Sequence, residues 1–287
     1  MSLQIKPLGQ QLGAQIVGAD LTRPLDDGVF AQIRAAFNQY EVLCFRGQEL
    51  SDEDQIRFSA RFGQLRKLKL TNVLLDQKPE IFVVSNIKKE GQYIGSYDAG
   101  VFWHTDGAYL PNPHAISALR ALKVPEVDGT VLGDTNFAST SAAYNALPEA
   151  MKKRIDNLQA LQSIMHRLSK TLESGIKKDY TAAVKSDPEA IHPVVRIHPE
   201  NGKKCLFVTE GYTAKILGLP DDESKDLIRE LTAHCIKPEF TYRHHWQQHD
   251  LVMWDDCSTQ HKATFDYPES APRLMHRTTI MHSSAKE

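Results

Sequence analysis

The 287-residue sequence is poor in cysteine and has no long apolar run. Its four cysteines are Cys44, Cys205, Cys235 and Cys257. They form no Cys-x-x-Cys pair and are too sparse for a disulfide framework, so we expect them to be reduced and mostly buried. No apolar stretch approaches the length of a membrane span, and the N-terminus lacks the basic and apolar regions of a signal peptide. These absences predict a cytoplasmic protein that does not bind membranes.

An excess of charge of either sign is also lacking. The formal net charge is -2 at pH 7, and the lysines and arginines are scattered without forming a basic stripe, so nucleic acid is not an expected partner. No Ser/Gly/Pro-rich linker, internal repeat or low-complexity run divides the sequence. Hydrophobic residues make up 41% of it, as in packed globular proteins. We expect a single domain over residues 1–287.

The first part of the chain contains two helical patterns separated by a strand. Apolar residues recur at steps of three or four in residues 29–40, which predicts an amphipathic helix, and the run 41–45 predicts a buried strand. Ser51 followed by Asp54 resembles a capping box, with aspartate in place of the usual glutamate. It predicts a second helix that ends near residue 62.

Beyond residue 80 the sequence changes to short apolar runs that are typical of strands. These runs are 81–84, 116–122, 194–197, 205–208, 251–254 and 275–281. Helical patterns interrupt them at 141–147, 149–157 and 222–234. Many short strands at such spacing predict a sandwich or a barrel. We therefore expect a mainly β fold with flanking helices.

One polar triplet, His104-Thr105-Asp106, carries residue types suited to a metal ion. Gly107 follows it and allows a turn or a close approach of the backbone. Two imidazoles and one carboxylate on one face of a metal are typical of non-haem Fe(II) oxygenases. Alternate side chains of an extended segment share a face, so His104 and Asp106 can bind one ion with a distant His261. The alternatives are a surface histidine with a turn-forming aspartate, and a core histidine at position 261.

The order of these residues bears on the fold. His104 and Asp106 lie early in the β-rich region, and His261 lies late. The strands of a double-stranded β-helix, or jelly roll, bring residues distant in sequence to one mouth. A jelly-roll core satisfies that order.

Two arginines lie in a strand-like run near the end of the sequence. Arg273 and Arg277 are costly to bury without carboxylate partners. A bidentate acid ligand would satisfy such guanidinium groups, and so would an aspartate or glutamate of the protein itself. The sequence leaves both interpretations open.

Several blocks of the chain, taken together and in order, match one known family. They are Trp-His-Thr-Asp at 103–106, Gly-Asp-Thr at 133–135 leading to 142–148, then 192–208, and finally 254–277. With these blocks the chain resembles, over nearly its whole length, the taurine dioxygenase and 2,4-dichlorophenoxyacetate dioxygenase family of Fe(II)/2-oxoglutarate-dependent oxygenases.

The resemblance implies a cofactor set and the residues that bind it. Position by position, it implies that His104, Asp106 and His261 bind Fe(II). It also implies that Arg273 pairs with the distal carboxylate of 2-oxoglutarate, assisted by the Thr135 hydroxyl. In such enzymes O2 and 2-oxoglutarate are consumed, succinate and CO2 are released, and a substrate C–H bond is hydroxylated.

The same resemblance implies that Arg277 faces the substrate. The substrate is then a small anionic organic compound, such as a sulfonate, a sulfate ester, an aryloxyalkanoate or a similar acid. Members of the family are commonly dimers or tetramers, so a homo-oligomer is expected.

Two departures from the taurine enzymes bear on these assignments. The approach to Thr135 is longer than usual, which leaves Thr130 as a possible substitute. Where the taurine enzymes carry a histidine that contacts the sulfonate, this chain has Arg66, Lys67 and Lys69, so taurine itself is doubtful as the substrate. These cations either add positive charge at the entrance of the site or form a solvated basic turn. The second interpretation is favoured, because lysines cluster on surfaces.

Other interpretations compete with the oxygenase. His244, His245, His249 and Asp250 invite a second metal site, but their spacing is not that of a zinc motif. A jelly-roll hydrolase could use the same triad with zinc to activate water. A 2-oxoglutarate-binding protein without turnover would also retain the fold, although an apparently complete triad with both arginines argues against that loss.

Overall fold

The computed structural model of the protein describes residues 3–68, 74–75, 77–173 and 189–282. Within these ranges the chain is mainly β with flanking helices, as expected. The helices are α1 (Asp27–Tyr40), α2 (Asp52–Ala60), α3 (Thr140–Ala146), α4 (Glu149–Ile155), α5 (Ile164–Glu173), α6 (Asp221–Cys235) and a 3-10 turn (Pro238–Phe240). The strands are β1 (Gln4–Pro7), β2 (Ala14–Val17), β3 (Val42–Phe45), β4 (Leu74–Leu75), β5 (Lys78–Ser85), β6 (Lys88–Lys89), β7 (Gln92–Tyr93), β8 (His114–Lys123), β9 (Glu126–Val127), β10 (Thr130–Val131), β11 (Thr135–Ser139), β12 (Gln159–Gln162), β13 (Ala190–Pro193), β14 (Val195–Ile197), β15 (Lys204–Leu206), β16 (Thr213–Ile216), β17 (Thr241–His244), β18 (Leu251–Asp255), β19 (Thr259–Ala263) and β20 (Leu274–Met281).

The largest sheet has eight strands in the order β1-β2-β3-β18-β8-β20-β5-β4. Neighbouring strands are antiparallel except β2 and β3, which are parallel. β8 lies between β18 and β20, so Ser117 of β8 has Trp254 on one side and Thr279 on the other. Three segments that are far apart in sequence therefore supply side chains to one region of this sheet.

A three-stranded sheet in the order β17-β11-β19 carries Thr135 and His261. Its antiparallel register pairs Phe137 with His261. The Phe137 ring packs against Trp254 of β18, with ring centroids 5.5 Å apart. Both rings belong to a buried apolar cluster that also includes Leu119 of β8. This cluster joins the small sheet to the large one.

Helices α1 and α2 cover the large sheet. α1 buries Ile33 and Phe37, and α2 buries Phe58, in one cluster with apolar side chains of β2, β3 and β18. The Ser51 side chain accepts a hydrogen bond from the Asp54 backbone N–H, and the Asp54 carboxylate accepts one from the Ser51 backbone N–H. The capping box that the sequence predicts is therefore confirmed, although the helix ends at Ala60 and not near residue 62.

The helices α3, α4 and α6 form a second apolar cluster with β12, β14, β15 and β16, and all three were predicted with small differences in their bounds. The sequence patterns did not predict β12 or α5. Only Ser163 separates these two elements. The period of the side chains changes from two to about 3.6 across that one residue, and no glycine or proline marks the boundary between the two elements.

Two expectations from composition have structural counterparts. None of the helices in the described ranges is long and apolar enough to cross a bilayer. All four cysteines are buried and unpaired, as the sequence predicted. Burial raises the pKa of both Cys44 and Cys235 to about 12, which keeps these thiols protonated at neutral pH.

The capping box predicts a loss of stability when its acceptor is removed. Ser51→Ala leaves the Asp54 backbone N–H without its partner, so we expect the free energy of unfolding to fall by about 1 kcal/mol. Ser51→Thr keeps a hydroxyl that can both accept from the Asp54 N–H and donate to the Asp54 carboxylate, and it is expected to stay near the parent value. Urea denaturation followed by circular dichroism measures both variants. Equal losses in the two would show that the cap is not responsible.

Candidate active site

His104, Asp106 and His261 lie together and are all buried. His104 Nε2 is 3.7 Å from Asp106 Oδ1, and His261 Nε2 is 4.0 Å from Asp106 Oδ2. The centroids of the two imidazole rings are 4.1 Å apart. The fold thus brings the three residues named from the sequence into one cluster of ligand atoms.

An isolated β-bridge holds the two histidines beside each other. The His104 N–H donates to the His261 carbonyl at 3.1 Å, and the His261 N–H donates to the His104 carbonyl at 2.9 Å. Just beyond Asp106 the chain turns at Gly107, whose φ is +68°. A Cβ at this position would lie 2.7 Å from the His114 ring. Glycine is required here for both conformation and space, and the triplet lies beside strand β19, outside any strand of its own.

The protonation of these side chains suits a divalent cation. His104 Nδ1 donates to the Phe102 carbonyl at 2.8 Å, which leaves the Nε2 lone pair for a metal. Burial lowers the pKa of His261 well below its usual value, so this imidazole is neutral. Burial alone would raise the pKa of Asp106, but the Arg277 guanidinium beside it holds that pKa well below its usual value. Two imidazoles and an ionised carboxylate are the ligand types of a non-haem Fe(II) site.

A small cavity, the inner cavity, lies on one side of the triad. Its volume is about 40 Å³, and its walls include His104, His261, Thr135 and Arg273. Arg273 is only 5% exposed and has no carboxylate within salt-bridge distance among the described residues. The Thr135 hydroxyl accepts from Trp246 Nε1 at 3.0 Å, which leaves its own proton to donate.

The inner cavity distinguishes Thr135 from Thr130. Thr135 is buried at the start of β11 and faces the cavity. Thr130 is exposed on the hairpin that β9 and β10 form. Of the two candidates, Thr135 is the hydroxyl that the fold places beside Arg273.

Arg277 differs from Arg273 in having an acidic partner. Its Nη1 donates to Asp106 Oδ2 at 2.7 Å, and its guanidinium lies over the Phe82 ring, 4.8 Å from the centroid. Of the two interpretations that the sequence left open, an internal salt bridge therefore applies to Arg277. The sequence did not predict that its partner is one of the candidate metal ligands.

A larger cavity, the outer cavity, opens on the other side of the triad. Its volume is about 360 Å³, and it shares His104 and Arg277 with the inner cavity. Tyr109 forms part of its wall together with Tyr212. Two aromatic residues near the triad in sequence contact other side chains: Tyr97 stacks on Tyr93, and Phe102 lies beneath the Lys170 ammonium.

The basic segment after the second helix is divided between the cavity and the solvent. Arg66 lines the outer cavity, and its Nη1 lies 2.8 Å from His114 Nε2. The interpretation as a solvated turn is therefore wrong for Arg66. It holds for Lys67, whose side chain is 68% exposed and lies 3.6 Å from Glu80. Lys69 lies outside the described residues.

The second histidine group does not converge on one point. His244 is buried against Asp250, with His244 Nε2 and Asp250 Oδ2 3.1 Å apart, and Arg46 pairs with the same carboxylate. The exposed His245 contacts Asp134 instead, at 2.7 Å. These contacts are those of a buried ion pair and a surface pair, and they separate His244 from His245.

Sequence reasoning missed several residues around the triad. Asp255 and Asp256, two adjacent acids that match no motif, are both buried. His114 and Ser117 carry no motif of their own, because they reach the triad from β8 across the sheet. The apolar strand before Asp255 was the one available sign that the following acids are not solvated.

The chain was compared with known proteins. Residues 4–279 match the family described as taurine catabolism dioxygenase TauD, TfdA family. Pentalenolactone F synthase from Streptomyces arenae is 32% identical over 278 residues, which cover 93% of this chain and 92% of that protein. The alpha-ketoglutarate-dependent 2,4-dichlorophenoxyacetate dioxygenase of Cupriavidus pinatubonensis is 31% identical over 98% of both chains. The crystal structure of AAD-2 in complex with Mn(II) and N-oxalylglycine matches with a TM-score of 0.83 and 30% identity, covering 100% of both chains.

These similarities extend over almost the whole chain and include both the sequence and the fold. The buried cluster of His104, Asp106 and His261 supplies the ligand types that iron chemistry requires. The chain therefore belongs to the TauD/TfdA family and is a dioxygenase of that family.

Proposed function

We propose that this dioxygenase hydroxylates a small anionic organic substrate, using Fe(II), 2-oxoglutarate and O2 and releasing succinate and CO2. The observation that carries the proposal is Arg273, a buried guanidinium beside the triad that has no acidic partner among the described residues. An isolated buried cation is costly, and a bound dicarboxylate would neutralise it. A zinc hydrolase with the same triad offers Arg273 no such partner.

The donor atoms of the triad fit Fe(II). Imidazole and carboxylate ligands suit this ion, and a three-ligand facial site leaves positions open for other molecules. We assign His104, Asp106 and His261 as the ligands. When bound, Fe(II) supplies the positions at which the keto acid and O2 react. The protein contributes the placement of these groups and the exclusion of competing ones.

The inner cavity supports a site for the distal carboxylate of 2-oxoglutarate. In the proposal Arg273 binds the distal carboxylate through paired N–H donors, and the free proton of the Thr135 hydroxyl adds a third donor. Binding both ends of the co-substrate limits the orientations that its keto group can take. The related structure contains Mn(II) and N-oxalylglycine, which is a dicarboxylate, and this supports a dicarboxylate co-substrate here.

The surroundings of Asp106 keep it ionised. Ser117 Oγ lies 2.9 Å from Asp106 Oδ2 and 2.8 Å from Asp256 Oδ2, and a hydroxyl has one proton to donate. Burial and the charge of Asp106 raise the pKa of Asp256 well above its usual value. Asp256 therefore keeps its proton and donates to Ser117, which donates to Asp106. Trp254 Nε1 donates to the other Asp256 oxygen at 3.0 Å, which completes the chain.

The substrate is assigned to the outer cavity, which contains Arg277 and the open side of the triad. A relative is named for its action on 2,4-dichlorophenoxyacetate, which is an anionic compound. We propose the same broad class here, namely a sulfonate, a sulfate ester, an aryloxyalkanoate or a similar acid.

The proposal includes features of the whole protein. It holds that residues 1–287 form one domain with a jelly-roll core, in which the sheet that carries His261 packs on the eight-stranded sheet. It also holds that the protein is cytoplasmic and forms a homo-oligomer, a dimer or a tetramer.

The triad assignment predicts which side chains are essential for Fe(II) binding and turnover. His104→Ala and Asp106→Ala each remove one ligand, so we expect Fe(II) binding and succinate formation to be lost while the circular dichroism spectrum is retained. His245→Ala, a substitution of an exposed histidine, is expected to retain turnover. Succinate release from 2-oxoglutarate under air is the measurement. Undiminished release from the two triad variants would disprove the assignment.

The Arg273 assignment predicts a selective defect. Arg273→Met removes the partner of the distal carboxylate, so we expect the KM for 2-oxoglutarate to rise roughly tenfold or more, with a smaller change in the KM for the substrate. Arg273→Lys retains the charge without the paired donors, so its KM for 2-oxoglutarate is expected to lie between those of the parent and of Arg273→Met. If both KM values rose by the same factor, Arg273 would have no special relation to the co-substrate.

The hydrogen bonds that link Asp256 through Ser117 to Asp106 predict that an asparagine amide can replace the Asp256 carboxyl group. Asp256→Asn keeps a donor toward Ser117 and an acceptor for Trp254, so we expect metal affinity close to that of the parent. Asp256→Ala removes both, and we expect metal affinity to fall by roughly a factor of ten. Anaerobic calorimetric titration with Fe(II) compares the variants. A defect as large in Asp256→Asn as in Asp256→Ala would contradict a protonated carboxyl.

A further inference from the structure

Three arginines line the outer cavity, and they differ in what their charges contact. They are Arg66, Arg167 and Arg277. Arg277 forms a salt bridge with the candidate ligand Asp106. Arg167 donates to the backbone carbonyl of Asp98 at 3.4 Å. The partner of Arg66 is neither a carboxylate nor a carbonyl, but an imidazole.

The contact between Arg66 and His114 does not neutralise the positive charge of Arg66. A guanidinium can only donate, so His114 Nε2 accepts the 2.8 Å hydrogen bond and the His114 proton resides on Nδ1. An imidazole that accepts in this way is neutral and cannot neutralise its partner. No carboxylate lies within 4.0 Å of Arg66 among the residues that the structure describes.

Arg66 is also fixed in position before any ligand binds. Its backbone N–H donates to the Thr279 carbonyl of β20 at 2.8 Å. Its partner His114 is 2% exposed, begins β8, and has Gly107 against its ring. A cation that is already ordered binds an anion without a further loss of side-chain entropy.

The rest of the outer cavity suits an apolar body. Phe82, Tyr109, Tyr212 and Leu68 line it along with His104 and Asp106. Besides Asp106, the described part of the wall contains one other acid, Glu80, and Lys67 lies 3.6 Å from the Glu80 carboxylate. The wall thus combines aromatic and apolar surface with the cation Arg66, which has no acidic partner among the described residues.

We propose that Arg66, positioned by His114, binds the anionic group of the substrate, which is an acid with an apolar body. The inference rests on the proposed function and makes it more specific, because it moves the main anion contact from Arg277 to Arg66. The ligand group is an oxyanion that accepts two N–H donors, and carboxylates, sulfonates and sulfate esters share this chemistry.

A binding experiment without turnover tests the proposal. The protein loaded with Fe(II) and 2-oxoglutarate is titrated anaerobically, by calorimetry, with 2,4-dichlorophenoxyacetate and with its uncharged methyl ester, and then with hexyl sulfate and hexanol. We expect the parent to bind at least one anion roughly tenfold or more tighter than its uncharged counterpart. Arg66→Met is expected to abolish that preference, and Arg66→Lys to retain part of it.

Two further variants distinguish the direct contact of Arg66 with the anion from two other effects. These are the general positive charge near the cavity and the positioning of Arg66 by His114. Lys67→Met makes the same change of charge one residue away on an exposed side chain, and we expect it to keep the parent preference. His114→Phe keeps the charge of Arg66 but removes its acceptor, so an intermediate loss of preference is expected.

Several outcomes would overturn the proposal. They are a parent protein with no preference for either anion or no binding of either, an unchanged preference in Arg66→Met, and an equal loss in Lys67→Met. The proposed function has a separate readout, which is succinate formation under air. Anion binding that depends on Arg66 without any succinate would contradict the oxygenase while supporting the anion site, and the reverse result would contradict the anion site alone.

Discussion

The placement of buried charge is the constraint on which the candidate site depends. Asp106 can remain a carboxylate inside the protein because Arg277 and Ser117 contact it. Arg273 has no such contact among the described residues, and in the proposed function an acid that enters the inner cavity compensates its charge. One buried charge is therefore satisfied by the fold, and the proposal assigns the other to a ligand. The packing of the two sheets holds both in fixed positions.

The charges around the triad follow a simple division. The inner cavity has one unpaired cation, Arg273, and the outer cavity has Arg66. Arg277 stands between the two cavities and is neutralised by Asp106. In the proposed function, a keto acid and an anionic substrate would occupy opposite sides of one metal without competing for one guanidinium. The separation of the two cations would then be an electrostatic reason for both molecules to bind together.

The sequence allowed prediction of features that depend on neighbouring residues. The capping box at Ser51, the main helices and most of the long strands follow from local periodicity, and the structure agrees. The His-x-Asp triplet could also be recognised in the sequence, because its residues are neighbours. The environments of Arg66 and Asp256 were not predictable, because Arg66 meets His114 of β8 and Asp256 meets Ser117 of the same strand. Such contacts depend on the register of the large sheet, which no pattern in one chain specifies.

The bridge between His104 and His261 consists of only two backbone hydrogen bonds, and it joins segments that are far apart in sequence. A cation bound by both side chains would be a second connection between the same segments. Because such a cation binds the folded chain and not the unfolded one, it adds to the free energy of unfolding. The lifetime of the protein in a cell would then rise and fall with the supply of iron, even when no substrate is present.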